Sequence, residues 1–229
     1  QTLAGLCADG RLSHALLLEG ENGLGKRRLA RIIAAMALCK EGPGGCFRCD
    51  SCKNILADNH PDVEIYGGAG GAGSFHIEDI RRLRQHAGIL PNQADKRVFI
   101  LENCENMTAA AQNALLKVLK EPPEHALFLL TAESRQALLP TVLSRVICFS
   151  ILPPSPEECI EHFARLGQGG GETAFAAHLF GGAIGSVARY LSEEEGPALQ
   201  AKVQAALDLL GALAQRRLSA VAGALYRPK

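Results

Sequence analysis

Short runs of apolar residues, each bounded by polar or turn-forming residues, recur along the first 150 positions of the chain. Nearly every residue within a run is apolar, as is typical of strands that are buried on both faces of a sheet. The runs predict five strands, at 15–19, 62–66, 97–101, 126–131 and 146–150. Apolar residues at helical spacing predict helices at 26–38, 77–86, 108–120 and 134–139. This alternation indicates an α/β fold with a parallel sheet that is covered on both faces.

After Ser150 only helical patterns are predicted. A proline-rich segment at 153–156 ends the last strand and begins a helix, with Ser155 as the predicted N-cap and the next proline as the first helical residue. Breaks between helices are predicted at 167–171, 181–185 and 193–197. The last helix, from 197 to about 225, places leucines on one face that needs a partner surface, which favours a longer parent protein.

Composition and charge narrow the class of protein. Hydrophobic residues make up 47% and charged residues 21%, the balance of an ordinary globular protein. The formal net charge is +0, so the overall charge does not predict binding to nucleic acid. No apolar run approaches the ~20 residues that span a bilayer, and the first residues do not resemble a secretion signal. We therefore expect a cytoplasmic protein with no membrane partner.

A glycine-rich loop lies between the first predicted strand and the first predicted helix. Residues 20–27 read Gly-Glu-Asn-Gly-Leu-Gly-Lys-Arg, against the template Gly-x4-Gly-Lys-Ser/Thr of a phosphate-binding loop. The three glycines let backbone N–H groups surround phosphate groups, and the lysine reaches the outer phosphates. The candidate phosphate-binding residues are therefore Gly20, Gly23, Gly25 and Lys26. A second glycine-rich run, at 67–73, precedes no basic or hydroxyl residue and is interpreted as a connection.

The hydrolytic residues depart from the template at several positions. Arg27 replaces the Ser or Thr whose hydroxyl ligates Mg²⁺. The strand at 97–101 should be followed by Asp-Glu, but the chain has Glu102 and Asn103, and an amide cannot act as a base. These combined changes predict a site that does not hydrolyse ATP. Two alternatives stay open at this point: a loop that binds no ligand, and one that binds nucleotide or phosphate weakly.

Four of the eight cysteines lie close together in the chain, at Cys39, Cys46, Cys49 and Cys52. Cys-x2-Cys turns place two sulfurs on one ion, and Zn²⁺ prefers four such ligands in a tetrahedron. Because four thiolates leave no open position, the spacing predicts a structural zinc site. A redox pair and simple buried thiols are the alternatives.

Several segments together resemble the delta-prime subunits of bacterial DNA polymerase III clamp loaders, which are related to the gamma/tau subunits. They are the phosphate loop, the four-cysteine module, Gly-Arg-Leu-Ser-His-Ala at 10–15, Asn-His-Pro-Asp at 59–62, and Leu-Ser-Arg-Val at 143–146. The most specific stretch is 111–123, Ala-Gln-Asn-Ala-Leu-Leu-Lys-Val-Leu-Lys-Glu-Pro-Pro.

The resemblance implies a fold and a division into domains. Residues 1–153 would form an AAA+ (P-loop) core with a five-stranded parallel sheet, carrying the zinc module at 39–52 as an insertion. Residues 154–193 would form a small all-helical lid domain, and 194–229 would begin a helical collar domain.

The resemblance also implies roles for individual residues. Arg145, in the pair Ser144-Arg145, would be the arginine finger that one subunit lends to its neighbour's ATP, although Val146 departs from the family's Ser-Arg-Cys motif. Thr131 would occupy the polar sensor position at the end of the fourth strand. In the lid, Ala188 stands where ATPase subunits place a sensing arginine. The alternative for Arg145 is an ordinary surface arginine at the start of a strand.

The function implied by the resemblance is that of a non-hydrolysing stator in a clamp loader, with zinc bound and ATP absent or weakly bound. Its partners would be the ATPase motor and delta subunits, the sliding clamp and, through the assembly, primer-template DNA. An active gamma/tau-like motor subunit is the alternative. A zinc-dependent nucleic-acid-binding module is less favoured because aromatic residues, which stack on bases, make up only 5% of the chain.

Overall fold

The structure is a computed structural model that describes residues 5, 12–42, 44–67, 75 and 77–214. Parts of three predicted features lie outside the described residues. They are the first two residues of the segment at 10–15, the glycine-rich connection at 68–73, and the last helix beyond 214. The chain divides after Leu152 into two compact units. The assignment of 154–193 to a lid and of 194–229 to the start of a collar stays a prediction.

The first unit contains the predicted five-stranded sheet. Its strands are β1 (Ala15–Glu19), β2 (Val63–Tyr66), β3 (Arg97–Leu101), β4 (Ala126–Ala132) and β5 (Ile147–Ser150). They lie in the order β2-β3-β4-β1-β5, and each neighbouring pair is parallel. Leu18 of β1 lies opposite Thr131 of β4, so the carboxyl ends of the central strands meet at one edge. The prediction of a parallel α/β sheet is confirmed, and the strand ends differ from the predicted ones by one residue at most.

Alternate residues of the strands enter two separate hydrophobic cores. Leu16 and Leu18 pack on one face with α1 (Lys26–Leu38), while Ala15 and Leu17 point to the other. That second face is covered by α3 (Ile77–Ala87) and α4 (Ala109–Lys120), and there Phe99 stacks on Phe128 with 5.3 Å between ring centroids. Burial on both faces explains why the central strands β1, β3 and β4 are apolar at nearly every position.

Two helices of the first unit differ from the prediction. The helix predicted at 134–139 is wrong: the structure has a 3-10 turn at Arg135–Ala137 and a separate short helix, α5 (Pro140–Leu143). Leu139 is extended, with φ −61° and ψ 140°, because a residue before proline is driven out of the helical region. The sequence patterns also missed α2 (Asp50–Leu56), which begins within the cysteine module with Cys49 as its N-cap.

The second unit is helical, as predicted. It contains α6 (Pro156–Arg165), α7 (Gly171–Leu179), α8 (Ile184–Leu191) and α9 (Gly196–Ala214). The predicted N-cap of α6 is confirmed, since Ser155 and Glu158 form a reciprocal capping box that satisfies two backbone N–H groups. Among the described residues, no helix is both long and apolar enough to cross a membrane.

The apolar face of α9 is only partly covered in the described structure. Leu199 and Val203 pack against the core of the helical unit. Further along the helix, Leu207, Leu210 and Leu213 are 40%, 60% and 51% exposed.

The carboxylate of Glu19 joins three segments at the carboxyl end of β1. It accepts hydrogen bonds from the Arg135 backbone N–H at 3.0 Å, from Arg135 Nε at 2.8 Å and from the Ser150 hydroxyl at 2.6 Å. The hydrogen bonds from the Arg135 side chain, with a smaller contribution from Ser150, lower the pKa of Glu19 to about 2. The ionised carboxylate therefore stabilises this edge of the sheet.

Substitution Glu19→Gln should lower the free energy of unfolding at pH 7 by about 1–3 kcal/mol, less than the full pKa shift implies because solvent screens an exposed arginine. A depressed pKa in the folded state means that the stabilisation is present above pH 4.5 and is lost as the pH falls towards 2. Urea unfolding at pH 7 and pH 3 should therefore show a smaller difference between variant and parent at pH 3. An equal difference at both pH values would contradict the role of the ionised carboxylate.

Candidate functional site

The glycine-rich loop connects β1 to α1 with the geometry of a phosphate-binding loop. Gly25 has φ 77°, a left-handed conformation that favours glycine, and it directly precedes the first residue of α1. A Cβ atom on Gly20 would lie 2.6 Å from the carbonyl oxygen of Ile151, so only glycine fits this approach to the end of β5. Strand, loop and helix therefore stand in the order that the sequence motif predicts.

The side chain of Lys26 lies inside this loop. It is 7% exposed, and its ammonium group donates hydrogen bonds to the carbonyl oxygens of Gly20 and, at 2.8 Å, Glu21. Burial lowers the pKa of Lys26, although the nearby carboxylates of Glu105 and Glu133 act in the opposite direction. The ammonium group thus has partners within the loop itself.

Acidic residues surround the loop on the side of β3 and β4. The carboxylate of Glu133 accepts a hydrogen bond from the side chain of Asn22, and the Glu133 backbone N–H donates to Glu105 at 3.3 Å. Their negative charge favours the Lys26 ammonium group and opposes an incoming anion. A phosphate ligand would therefore meet both attractive and repulsive groups in this loop.

At the end of β3, the carboxylate of Glu102 is held by two arginines of α1. Glu102 is 3% exposed; one of its oxygens lies 2.7 Å from Arg31 Nη1 and the other 3.1 Å from Arg27 Nε. Arg31 also donates two hydrogen bonds to Asp58, at 2.6 and 2.9 Å. These side chains line a cleft of about 850 Å³ beside the start of α1.

Asn103 and Thr131 link the ends of β3 and β4. Asn103 adopts a left-handed conformation, φ 59° and ψ 53°, and its backbone N–H donates to the Thr131 hydroxyl oxygen at 3.1 Å. Thr131 is fully buried. The structure therefore places the predicted sensor residue near the loop, with its hydroxyl already accepting one hydrogen bond.

Arg145 lies just before β5 and is held by neutral groups. Its Nη1 atom donates to the Thr141 carbonyl oxygen at 2.7 Å and to the Ser144 hydroxyl at 2.9 Å. In the part of the chain that the structure describes, no carboxylate forms an ion pair with Arg145. Within the described residues, its charge is therefore not compensated by an ion pair.

The four predicted metal ligands come together in space. One sulfur atom from each of Cys39, Cys46, Cys49 and Cys52 lies within 4.8 Å of the other three. The backbone N–H groups of Cys46 and Cys49 donate to the sulfurs of Cys39 and Cys46, both at 3.3 Å. Such N–H···S bonds stabilise thiolates, so the arrangement could hold a metal ion with four sulfur ligands.

The two outer cysteines of this cluster have opposite pKa shifts. Burial raises the pKa of the Cys52 thiol to about 12, and the neighbouring sulfurs of Cys49 and Cys39 add to the effect. Burial acts in the same direction on Cys39, but hydrogen bonds from the backbone N–H groups of Cys46 and Glu41 outweigh it and lower the pKa to about 7. A bound cation would replace the remaining thiol protons.

The sequence patterns predict the loop and the cysteine cluster, but they do not predict every residue of the site. The contribution of Arg31 and Asp58 to the neighbourhood of Glu102 was not predicted. One signal was present: Arg27 and Arg31 are four residues apart, so they share one face of a helix. No sequence signal indicated that Asp58 would meet that face.

The sequence matches a known protein family and several curated relatives. Residues 1–155 match the family described as DNA polymerase III, delta subunit. Among the relatives, the DNA polymerase III subunit delta' of Yersinia pestis is 35% identical over 69% of this chain and 47% of its own length. The gamma/tau subunit of Mycobacterium bovis is 40% identical over 63% of this chain and 26% of its own length. The chain therefore spans less than half the length of these relatives.

Solved structures support the same fold. A DNA polymerase III gamma subunit-related protein from Thermotoga maritima aligns with a TM-score of 0.56 and 22% identity, covering 98% of this chain and 76% of that one. A RuvB variant from the same organism aligns with a TM-score of 0.52 and 16% identity, covering 82% and 56% of the two chains. At these identities the likeness concerns the fold alone, and it agrees with the predicted AAA+ core.

The family match extends over more than half of the chain, and the relatives carry the names of both delta' and gamma/tau subunits. The resemblance inferred from the sequence motifs is thereby confirmed. The chain belongs to the DNA polymerase III, delta subunit family of AAA+ clamp-loader proteins.

Proposed function

We propose that this chain is a clamp-loader subunit that does not hydrolyse ATP at its own site and that lends Arg145 to the ATP site of a neighbouring subunit. The relatives include gamma/tau and delta' subunits, and the proposed function is that of a delta' subunit. In this role the chain helps a sliding clamp to be loaded onto primer-template DNA, together with ATPase and delta subunits.

The observation that carries the proposal is the amide at position 103. Asn103 is the second residue after β3, the position at which the motif of this fold has a glutamate that orients the attacking water. An amide is uncharged and accepts no proton, so Asn103 cannot act as a base towards that water. Arg27, in the place of the Mg²⁺-binding hydroxyl, removes a second part of the machinery.

The surroundings of Arg145 support its role as a donor to another subunit. The Thr141 carbonyl and the Ser144 hydroxyl orient the guanidinium group without neutralising it. A positive charge held in this way can stabilise the negative charge that develops on a phosphoryl group during its transfer. Ser144 therefore acts as a positioning residue for Arg145.

Substitution Arg145→Ala should reduce ATP turnover in the reconstituted clamp loader while leaving the fold of this chain intact. Arginine fingers contribute about 10³–10⁵ in rate in other phosphoryl-transfer systems, so turnover at the site that Arg145 serves should be almost abolished. ATP sites served by other subunits would continue, and the total rate would fall to a plateau rather than to zero. Steady-state phosphate release measures this rate.

Substitution Arg165→Ala is the matched control, because Arg165 is an exposed arginine that pairs within its own helix with Glu161. It should leave turnover unchanged. Equal turnover in the Arg145→Ala complex and the parent complex would refute the finger assignment, provided that gel filtration shows the same assembly.

An active gamma/tau-like motor subunit is the second candidate. It is favoured by the 40% identity with the gamma/tau subunit of Mycobacterium bovis. The isolated chain distinguishes the two functions: a motor should hydrolyse ATP alone with Mg²⁺, whereas the proposed stator should show no turnover alone and should stimulate a competent ATPase subunit through Arg145.

We further propose that the four-cysteine cluster holds one structural Zn²⁺. Four sulfur ligands leave no open coordination position for a substrate, so the ion would stabilise the module without taking part in a reaction. The ion would hold the segment 39–52 against α1, where Cys52 is buried beside Ile33 and Ile55.

The purified chain should contain about one zinc ion per molecule, as measured by mass spectrometry of the metal. Substitution Cys46→Ser should lower the zinc content and increase proteolysis within 39–52, while the far-UV circular dichroism of the sheet is retained. Cys148→Ser is the control, since Cys148 lies on β5 outside the cluster. Melting of the whole chain on chelation would contradict the view of the module as an insertion.

A further inference from the structure

We propose that the guanidinium groups of Arg27 and Arg31 permanently take the place of the divalent metal ion beside the phosphate loop. In a working site of this fold, Mg²⁺ is held by a hydroxyl residue after the lysine and by an acidic residue after the strand that corresponds to β3. Here the first position is Arg27 and the second is Glu102, and the two are paired with each other. The residues present therefore do not fit Mg²⁺.

Both oxygen atoms of Glu102 already have cationic partners. Arg31 lies 2.7 Å from Oε1 and Arg27 lies 3.1 Å from Oε2. Mg²⁺ demands oxygen ligands at about 2.0–2.1 Å in octahedral geometry, and it dehydrates reluctantly. An ion at this carboxylate would have to displace at least one guanidinium group and would then lie beside two positive charges.

The position of Arg31 is itself fixed by two further acceptors. Asp58 accepts hydrogen bonds from both Nε and Nη2, and the carbonyl oxygen of Arg27 accepts one from Nη1 at 3.0 Å. Hydrogen bonds with Asp58, and then those with Glu102, raise the pKa of Arg31 above its usual range. The network of Asp58, Arg31, Glu102 and Arg27 has two positive and two negative charges, so it is neutral without a metal ion.

Burial makes this compensation necessary. Glu102 is only 3% exposed, and a carboxylate removed from water is strongly destabilised unless cations or hydrogen-bond donors satisfy it. The two arginines supply that charge in the absence of any ligand. The ion network therefore satisfies Glu102 from within the chain, whereas a metal-dependent site would be completed only with nucleotide bound.

This inference rests on the proposed function in one respect: both hold that ATP is not hydrolysed at the phosphate loop of this chain. It adds that any phosphate group in the loop is held without a divalent ion. Its test uses the chain alone and without ATP, so a failure of the Arg145 assignment would leave the result unaffected.

Substitution Glu102→Gln tests the ion network, because glutamine keeps the size of the side chain and removes the charge. With EDTA present, we expect the thermal midpoint of the isolated chain to fall by about 4–8 °C, since two arginines lose a buried partner. The control is Glu78→Gln, which removes an exposed pair at 3.6 Å from Arg81 in the same unit and should shift the midpoint by about 1 °C or less.

Manganese binding supplies the second measurement. Electron paramagnetic resonance of Mn²⁺, alone and with ADP, should show no binding to the parent chain that depends on Glu102. If the parent chain gives a signal of bound Mn²⁺ that is lost in Glu102→Gln, Glu102 is a metal ligand and the proposal is overturned. An unchanged thermal midpoint for Glu102→Gln would also overturn it. If that variant does not fold, Arg27→Gln replaces it: a lower midpoint in EDTA supports the network, and an equal or higher one refutes it.

Discussion

A carboxylate buried at the carboxyl end of β3 is the constraint on which the candidate site depends. Glu102 is almost fully withdrawn from water, so its charge must be balanced by groups within the protein. Two arginines from successive turns of α1 provide the balance, and this fixes the start of α1 against β3. The glycine-rich loop ends at the same point, because α1 begins at Lys26. The position of the start of α1 therefore determines both where the loop ends and how Glu102 is neutralised.

The same network connects the phosphate loop with the cysteine cluster. Asp58, which orients Arg31, follows two residues after α2 ends, and α2 begins at the cluster with the Cys49 sulfur accepting from the Cys52 N–H. The cluster, α2 and Asp58 are therefore successive parts of one segment that packs against α1.

The predicted and unpredicted features differ in the range of the interactions that create them. Strands buried on both faces, and the Ser155 capping box, follow from residues that are neighbours in sequence. The helix predicted at 134–139 was wrong, since Leu138 and Leu139 are both extended; Pro140 accounts for Leu139, because a residue before proline is driven out of the helical region. The ion network could not be predicted, because Arg31 and Glu102 are 71 residues apart and polar residues on a helix usually face solvent.

The arginines near the sheet of the first unit differ in the partners that they meet. Arg27, Arg31, Arg97 and Arg135 pair with carboxylates, so their charges are used within the chain. Arg145 meets only a carbonyl and a hydroxyl oxygen in the described structure, and neither neutralises it. A guanidinium group with fixed orientation and an uncompensated charge suits an anion supplied by another molecule. Within the described residues, the carboxylate beside the start of α1 is therefore engaged in internal ion pairs, whereas the guanidinium group of Arg145 is not.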